Sequence, residues 1–182
     1  MEGMMIYAAN AIEERDSRKL YNVIDERARH ALHSIVADRR AAAERIREAY
    51  PEELRPSALR ALGDGAEAED AEGLFALRCG EECRDDLGTK IGGVERTEEQ
   101  GDLLVVHTAR GEELTLYRRE EGHWWGMVWH TEELDRERSR ASQDLRRVEA
   151  NATTYERRQR LEGREASPAV NGQTMDPAGP NG

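Results

Sequence analysis

Apolar residues in the first half of the chain recur at helical spacing. Between Leu20 and Tyr50 they lie three or four residues apart, which places them on one stripe of a 3.6-residue helix. Pro51 should end this helix, because proline lacks an amide donor and disfavours helical backbone at the preceding residue. The stripe consists of Leu20, Val23, Ile24, Ala28, Ala31, Leu32, Ile35, Val36, Ala42, Ala43, Ile46 and Ala49.

Shorter segments flank this long helix. Residues Ile6, Ala9 and Ile12 share a helical face and predict a short helix before it. The apolar stripe widens at residues 30–34, which predicts a break there. Residues 63–72, GDGAEAEDAE, contain no large apolar side chain and are expected to form an acidic loop.

The pattern changes after Gly88 into four short runs that favour strands. The turns between them are too short for crossover helices, so the strands should form an antiparallel meander. The last run has apolar residues on both faces, which predicts a central or covered strand. The four runs are residues 89–96, 103–109, 113–119 and 123–130, with a turn predicted at 98–102.

A long closing helix is predicted from Thr131 to about Gly163. Its seam of Ala141, Leu145, Val148, Ala152 and Tyr155 steps by four, three, four and three residues, as in a heptad. Such a helix would be roughly 45 Å long at 1.5 Å per residue, longer than the domain it leaves. We therefore expect the seam to be exposed and residues 131–163 to bind a second copy or a protein partner. The alternative is a solvated helix held by i,i+4 ion pairs.

These elements predict an α+β fold, with N-terminal helices packed against a bent four-stranded antiparallel meander and then a long C-terminal helix. The domain prediction is a cone-like unit at 1–130, the helix at 131–163 and a disordered tail at 164–182, which is rich in proline and poor in apolar residues.

The helical segment that starts with Arg15-Asp16 and Leu20-Tyr21, followed by strands that end in Gly-His-Trp-Trp-Gly-Met-Val-Trp at 122–129, resembles the nuclear-transport-factor-2-like (SnoaL-like, cystatin-like) superfamily. The resemblance covers roughly residues 5–130 and implies a bent sheet wrapped around a long helix as a cone. It implies isomerase, dehydratase or non-catalytic binding functions without choosing among them. A long helix after the last strand departs from the family pattern.

Three of the nine aromatic residues are clustered at Trp124, Trp125 and Trp129. They are interpreted either as a ligand-stacking wall in the mouth of the cone or as core and sheet packing. The candidate ligand-pocket residues are Trp124, Trp125, Met127, Trp129, Tyr117 and His107.

His107 is predicted on the same strand face as Leu103 and Val105. The fold resemblance implies that an inward-facing histidine could act as a general base. The alternative is a hydrogen-bonded or exposed histidine at a strand end, because the nearby acids are all predicted in turns. The leading functional hypothesis is a non-catalytic module that binds a small apolar ligand or a protein partner, with no catalytic residue. The alternative is a dehydratase or isomerase that uses His107.

Cys79 and Cys83 are four residues apart and leave three alternatives open: free structural thiols, a local disulfide, or a metal or redox centre. No metal site is predicted, since His30 and His33 lack a third ligand and the acidic loop lacks the EF-hand pattern. No nucleotide-binding glycine motif is present, and no cofactor is predicted.

Charge and composition narrow the class of protein further. The net charge of −11 argues against nucleic-acid binding, and no apolar run reaches the roughly 18–20 residues of a transmembrane segment. The start lacks a signal-peptide pattern, which predicts a cytoplasmic protein; the alternative is the periplasm or cell envelope if the true start lies upstream. Residues 63–130 carry 17 acids against seven bases, so the acidity is local.

Overall fold

The structure, a computed structural model, describes residues 1–118 and 124–165, and for 163–165 the backbone alone. The helices are α1 Glu2–Glu13, α2 Ser17–Tyr21, α3 Glu26–Ala49, α4 Arg55–Arg60, α5 Ala71–Arg78, α6 Glu81–Lys90 and α7 Thr131–Glu165, with 3-10 turns at Glu52–Leu54 and Asp64–Ala66. The strands are β1 Val94–Gln100, β2 Leu103–Thr108, β3 Glu113–Arg118 and β4 Trp125–Met127. The predicted α+β class is confirmed. Of the predicted tail, residues 166–182 lie outside the described residues, and the closing helix extends through Glu165.

The long N-terminal helix α3 begins six residues later than the stripe predicts and has no break at 30–34. The chain leaves helical structure before it instead, at Asn22–Asp25, because Asp25 adopts extended backbone and caps the helix. The Asp25 carboxylate accepts from the amide of Ala28 at 3.0 Å, which satisfies a donor at the start of α3. The prediction of an internal break was therefore wrong.

Helix α1 also buries a different face from the predicted one. Its buried residues are Met4, Met5, Ala8 and Ala11, whereas Ile6 is 62% exposed and Ala9 is exposed. The two alanines present little bulk on the buried face, which suits the contacts of α1 with α2 and α6. Helix existence was predictable here, but its orientation was not.

The four strands form one antiparallel sheet in the order β1-β2-β3-β4, which is the predicted meander. The first strand is misplaced in the sequence prediction: Thr89 and Lys90 belong to α6, and β1 runs through the predicted turn as far as Gln100. The turn is at Gly101, whose φ of 66° is a conformation that glycine adopts without strain.

The two faces of the sheet differ in burial. Leu104, Val106, Leu114, Leu116 and Met127 point to the helices and belong to the main core cluster. The opposite face is only half-buried and carries Leu103, Val105, His107, Thr115 and Tyr117. Strand β1, with the sequence VERTEEQ, is almost entirely exposed; its charges disfavour pairing with another chain at this edge.

The other edge of the sheet, β4, is covered by the segment that precedes α3. The amide of Met127 donates to the carbonyl of Val23, and the amide of Asp25 donates to the carbonyl of Met127, both at 2.7 Å. A Cβ at Gly126 would lie 2.6 Å from the Cα of Asp25, so this close approach requires glycine. The predicted run at 123–130 thus contains a strand of only three residues, at the edge of the sheet: its backbone edge is covered, whereas Trp124 and Val128 beside it are exposed.

Helix α7 lies along α3, and the two helices are parallel. Ion pairs join Arg27 to Asp135 at 2.8 Å and Arg45 to Glu156 at 2.6 Å, and Arg39 pairs with Asp144 between them. The pairs advance in the same direction along both helices, which fixes their relative orientation.

The predicted assembly seam of α7 is the surface that packs on α3. Ala141, Val148 and Ala152 are buried, and Leu145 and Tyr155 are partly buried. Ala141 belongs to the main core. The other four seam residues belong to a second apolar cluster with Ala42, Ala43, Ile46, Ala49, Tyr50 and Leu62. The expectation that the seam is exposed was wrong, because the apolar stripe of α3 is wide enough to cover it within the same chain.

The acidic segment 63–72 is folded rather than a solvated loop. It contains a 3-10 turn, its Gly65 and Ala68 are buried, and Asp70 caps α5. Arg78 of α5 donates to the carboxylate of Asp64 and to that of Glu137 on α7, with distances of 2.7–2.9 Å. The segment is thereby attached to the helical core. Among the described residues, no helix has the length and apolar character needed to cross a bilayer.

Candidate ligand cavity

A cavity of about 660 Å³ lies between α1, the start of α3 and the beginning of β4. Helix α1, the link before α3, α3 itself and the start of β4 each contribute to its wall. The lining residues are Gly3, Met4, Tyr7, Asn22, Val23, Glu26, Arg29, Trp124 and Trp125.

The wall from α1 follows from helical spacing. Gly3 and Tyr7 are one turn apart, and Met4 is adjacent to both, so all three border the buried face of the helix. Met4 is buried, whereas Tyr7 is 42% exposed at the rim. An unbranched methionine beside an aromatic ring gives an apolar wall that adapts to different shapes.

The three tryptophans differ in their surroundings. Trp125 and Met127 share the inner face of β4, whereas Trp124 precedes the strand and is 64% exposed. Trp125 is partly buried, and the guanidinium of Arg118 lies 5.2 Å from its ring centroid. Trp124 and Trp125 therefore line the same cavity with different degrees of solvent contact.

Trp129 does not belong to this cavity. Its ring is buried, and its centroid lies 4.6 Å from that of Phe75 in an edge-to-face contact. Of the alternatives for the tryptophan cluster, core packing applies to Trp129, and a position on a cavity wall applies to Trp124 and Trp125.

Asn22, Glu26 and Arg29 supply polar groups to the cavity wall. Arg29 Cζ lies 5.7 Å from the ring centroid of Tyr21, and its Nε is buried without a hydrogen-bond partner among the described residues. Glu26 Oε1 lies 3.6 Å from Nε2 of exposed His30, one helical turn further on. Burial raises the pKa of the Tyr21 hydroxyl, and the positive charge of Arg29 opposes that rise. The wall thus combines apolar surface with a cation whose Nε is unsatisfied.

The other predicted pocket residues lie elsewhere. Met127 is buried in the core, and Tyr117 and His107 are on the half-buried outer face of the sheet. The six candidates therefore do not converge on one pocket; the structure brings together Trp124 and Trp125 alone.

His107 lies in a cross-strand cluster of charged residues. Its Nδ1 is 3.2 Å from Glu113 Oε1, and its Nε2 is 3.4 Å from Glu98 Oε1 and 3.2 Å from Arg96 Nη2. The expectation that the neighbouring acids sit in turns was wrong, because β1 extends further than predicted: Arg96 pairs with His107 in the ladder, and Glu98 contacts it diagonally. His107 does not line the cavity described above. The dehydratase or isomerase hypothesis stays a prediction.

Cys79 and Cys83 are joined by a disulfide across the corner between α5 and α6, with their Cα atoms 4.9 Å apart. Cys79 is completely buried, and its carbonyl accepts from the hydroxyl of Ser17 at 3.0 Å. Of the three alternatives, the structure has the local disulfide. His30 and His33 are both exposed, and no cluster of three or more metal-ligating side chains is found in residues 1–118 and 124–165.

Sequence reasoning missed most of the cavity wall. Met4, Tyr7, Val23 and Arg29 have no distinctive spacing relative to the tryptophans, which are about 100 residues away. Only the docking of Val23–Asp25 on β4 brings them together. No sequence signal indicates this contact, apart from the glycine at position 126 that permits it.

No family model, curated protein or solved structure matches this chain. The resemblance to the nuclear-transport-factor-2-like superfamily therefore stays a prediction based on element order.

Proposed function

We propose that this protein is a non-catalytic binding module that holds a small apolar ligand in the cavity between α1, α3 and β4. The observation that carries the proposal is the placement of Trp124 and Trp125 on one cavity wall, with Trp124 64% exposed. A large apolar ring left in water is unfavourable by roughly 25 cal/mol per Å² of apolar surface, and a ligand stacked on it would cover that surface.

The size and lining of the cavity support this proposal. A volume of about 660 Å³ falls within the range of roughly 300–1,000 Å³ that is usual for small-molecule pockets. Its aromatic and thioether side chains stand among a few polar groups, which is the common composition of such sites. The wall is held on helices and a strand that share the main core, so it is largely formed before a ligand binds.

The experiment is a titration with N-phenyl-1-naphthylamine, a neutral dye whose fluorescence rises in apolar surroundings. We expect saturable binding that Trp124→Ala weakens about tenfold, since stacking on an aromatic ring is worth about 1 kcal/mol or more beyond area burial. Leu77→Ala is the matched control, because Leu77 is also 64% exposed but lies on α5 away from the cavity.

Two results would contradict the proposal. One is the absence of saturable dye binding to the wild-type protein. The other is equal weakening by Trp124→Ala and Leu77→Ala, which would mean that the dye binds exposed apolar side chains without regard to the cavity.

Association through residues 131–163 stays a prediction. Because Ala141, Val148 and Ala152 pack within the chain, an association of this kind would use the outward positions of α7. The compartment is likewise proposed rather than observed: the Cys79–Cys83 disulfide supports the periplasm or cell envelope over the cytoplasm, since disulfides persist in oxidising spaces.

A further inference from the structure

We infer that the ligand of this cavity is an aromatic or alkyl anion, such as a carboxylate, whose acidic group is bound by Arg29. This inference rests on the proposed function and adds the chemical class of the ligand. Three features of the cavity carry it: the state of Arg29, the positions of the acids around it, and the distribution of apolar surface.

Arg29 is a cavity residue with unused hydrogen-bonding capacity. Its Nε is shielded from solvent and has no hydrogen-bond partner, and no ion pair to its guanidinium is found in residues 1–118 and 124–165. A buried donor without a partner costs roughly 1–3 kcal/mol, so a bound acceptor would recover that loss. Carboxylates are well matched to this role, because a guanidinium donates two parallel hydrogen bonds to them.

Two acids at the start of α3, its cap Asp25 and its first residue Glu26, have other partners. Asp25 is buried and accepts from Ala28, from the hydroxyl of Thr131 at 2.7 Å and from the amide of Trp129. Glu26 lines the same cavity, but its carboxylate faces His30 at 3.6 Å. Neither of these acids neutralises Arg29 by a direct ion pair.

Arg29 is also positioned by an aromatic contact. Its guanidinium lies over the ring of Tyr21, which is buried and packs edge-to-face on Phe75 at 5.9 Å. A guanidinium supported by an aromatic face loses little freedom when it binds an anion. Trp124, Tyr7 and Met4, which line the same cavity, supply apolar surface for the rest of the ligand. An amphipathic anion matches both parts.

The test compares three probes that share one ring system: 2-naphthoate, 2-naphthamide and 2-naphthylmethylammonium, each measured by isothermal titration calorimetry. We expect the anion to bind about tenfold or more tightly than the neutral amide, and the cation to bind weakest, since hydrogen bonds to charged groups are stronger than neutral ones.

Arg29→Met should remove the preference for the anion over the neutral amide, because methionine keeps the apolar stem and removes the charged donor. Arg29→Lys should retain part of the preference for the anion. Arg27→Met is the matched control, since Arg27 lies on the same helix, is exposed and pairs with Asp135 instead of lining the cavity.

The outcomes separate the two proposals. If the neutral dye binds in a Trp124-dependent manner but 2-naphthoate and 2-naphthamide bind equally, the anion inference is overturned and the binding function stands. If Arg29→Met and Arg27→Met reduce 2-naphthoate binding equally, the inference is also overturned. If no probe binds, both proposals fail.

Discussion

Asp25 illustrates how one side chain can hold several parts of this fold together. Its carboxylate caps α3 through the amide of Ala28 and accepts from the hydroxyl of Thr131, the first residue of α7. Its backbone amide donates to β4. A buried carboxylate is tolerated here because it accepts these hydrogen bonds. The start of α3, the end of the sheet and the start of α7 therefore meet at one residue.

Asp25→Ala should lower the free energy of unfolding by about 2–4 kcal/mol. The loss combines a helix cap, worth about 1 kcal/mol, with the cost of leaving the Thr131 hydroxyl and a backbone amide without their acceptor. Urea denaturation at neutral pH measures it by linear extrapolation.

Asp16→Ala is the control for this prediction. Asp16 also caps a helix, accepting from the amide of Lys19 at 3.1 Å, but α2 is only five residues long and Asp16 is half-buried. Asp16→Ala should lower the free energy of unfolding by about 1 kcal/mol or less. Equal losses from the two substitutions would show that Asp25 is no more than an ordinary cap.

At the scale of elements, the pairing of α3 with α7 sets the architecture. Small residues line both helices at the contact, with Ala42, Ala43 and Ala49 on α3 facing Val148 and Ala152 on α7. Short side chains let the two backbones approach closely, and ion pairs at both ends and in the middle fix the alignment. The heptad-like seam of α7 therefore packs against α3 of the same chain.

Ala152→Asp should destabilise the protein by about 3 kcal/mol or more, because it buries a carboxylate against α3 without a partner. Ala150→Asp is the control: it changes the same residue type two positions away on the exposed side of α7, and should shift the free energy of unfolding by less than about 0.5 kcal/mol. Thermal and urea unfolding of both variants checks the difference.

The same pair of variants tests whether this face mediates association. If Ala152→Asp keeps the wild-type stability and instead changes the mass measured by light scattering, the seam faces another chain and the intramolecular packing is contradicted.

At the scale of the whole molecule, Arg78 joins the acidic segment 63–72 to α7. Arg78 bridges Asp64 of the acidic segment and Glu137 of α7, and these two acids raise its pKa. In return, the hydrogen bonds from Arg78 lower the pKa of Asp64 below its ordinary value of 3.8, against the opposing effect of burial. Part of the stability therefore depends on pH.

The sign of this dependence follows from the lowered pKa. An acid whose pKa is lowered by folding stabilises the folded state above its ordinary pKa, and this contribution is lost as the pH falls through the lowered value. Asp64→Asn should reduce the melting temperature at pH 7 by at most about 4 °C, because a partly exposed ion pair contributes about 1 kcal/mol or less to the free energy of unfolding.

The difference between wild type and Asp64→Asn should shrink toward zero near pH 2. Glu67→Gln is the control, because Glu67 lies in the same segment and takes part in no ion pair of the described residues. Calorimetric melts at both pH values measure the change. A difference that stays constant down to low pH would contradict the role of the Asp64 charge.

The sequence by itself determined the class of fold, because its local signals agree with the tertiary packing. Helical spacing in the first half, the short turns at Gly101 and Gly111 and the heptad-like steps after Thr131 each predict elements that the structure contains. The face of α1 that is buried, the length of β1 and the partner of the α7 seam were not predictable, because each depends on residues distant in the chain.

Only the tertiary structure decided where a site could be. The tryptophans at 124 and 125 were conspicuous in the sequence, but their cavity is completed by α1 and by Arg29, which the docking of Val23–Asp25 on β4 brings to them. Local periodicity specifies which residues are apolar and at what repeat. It carries no information on which of two apolar surfaces meets a given partner, since that choice is made by packing energy summed over the whole core.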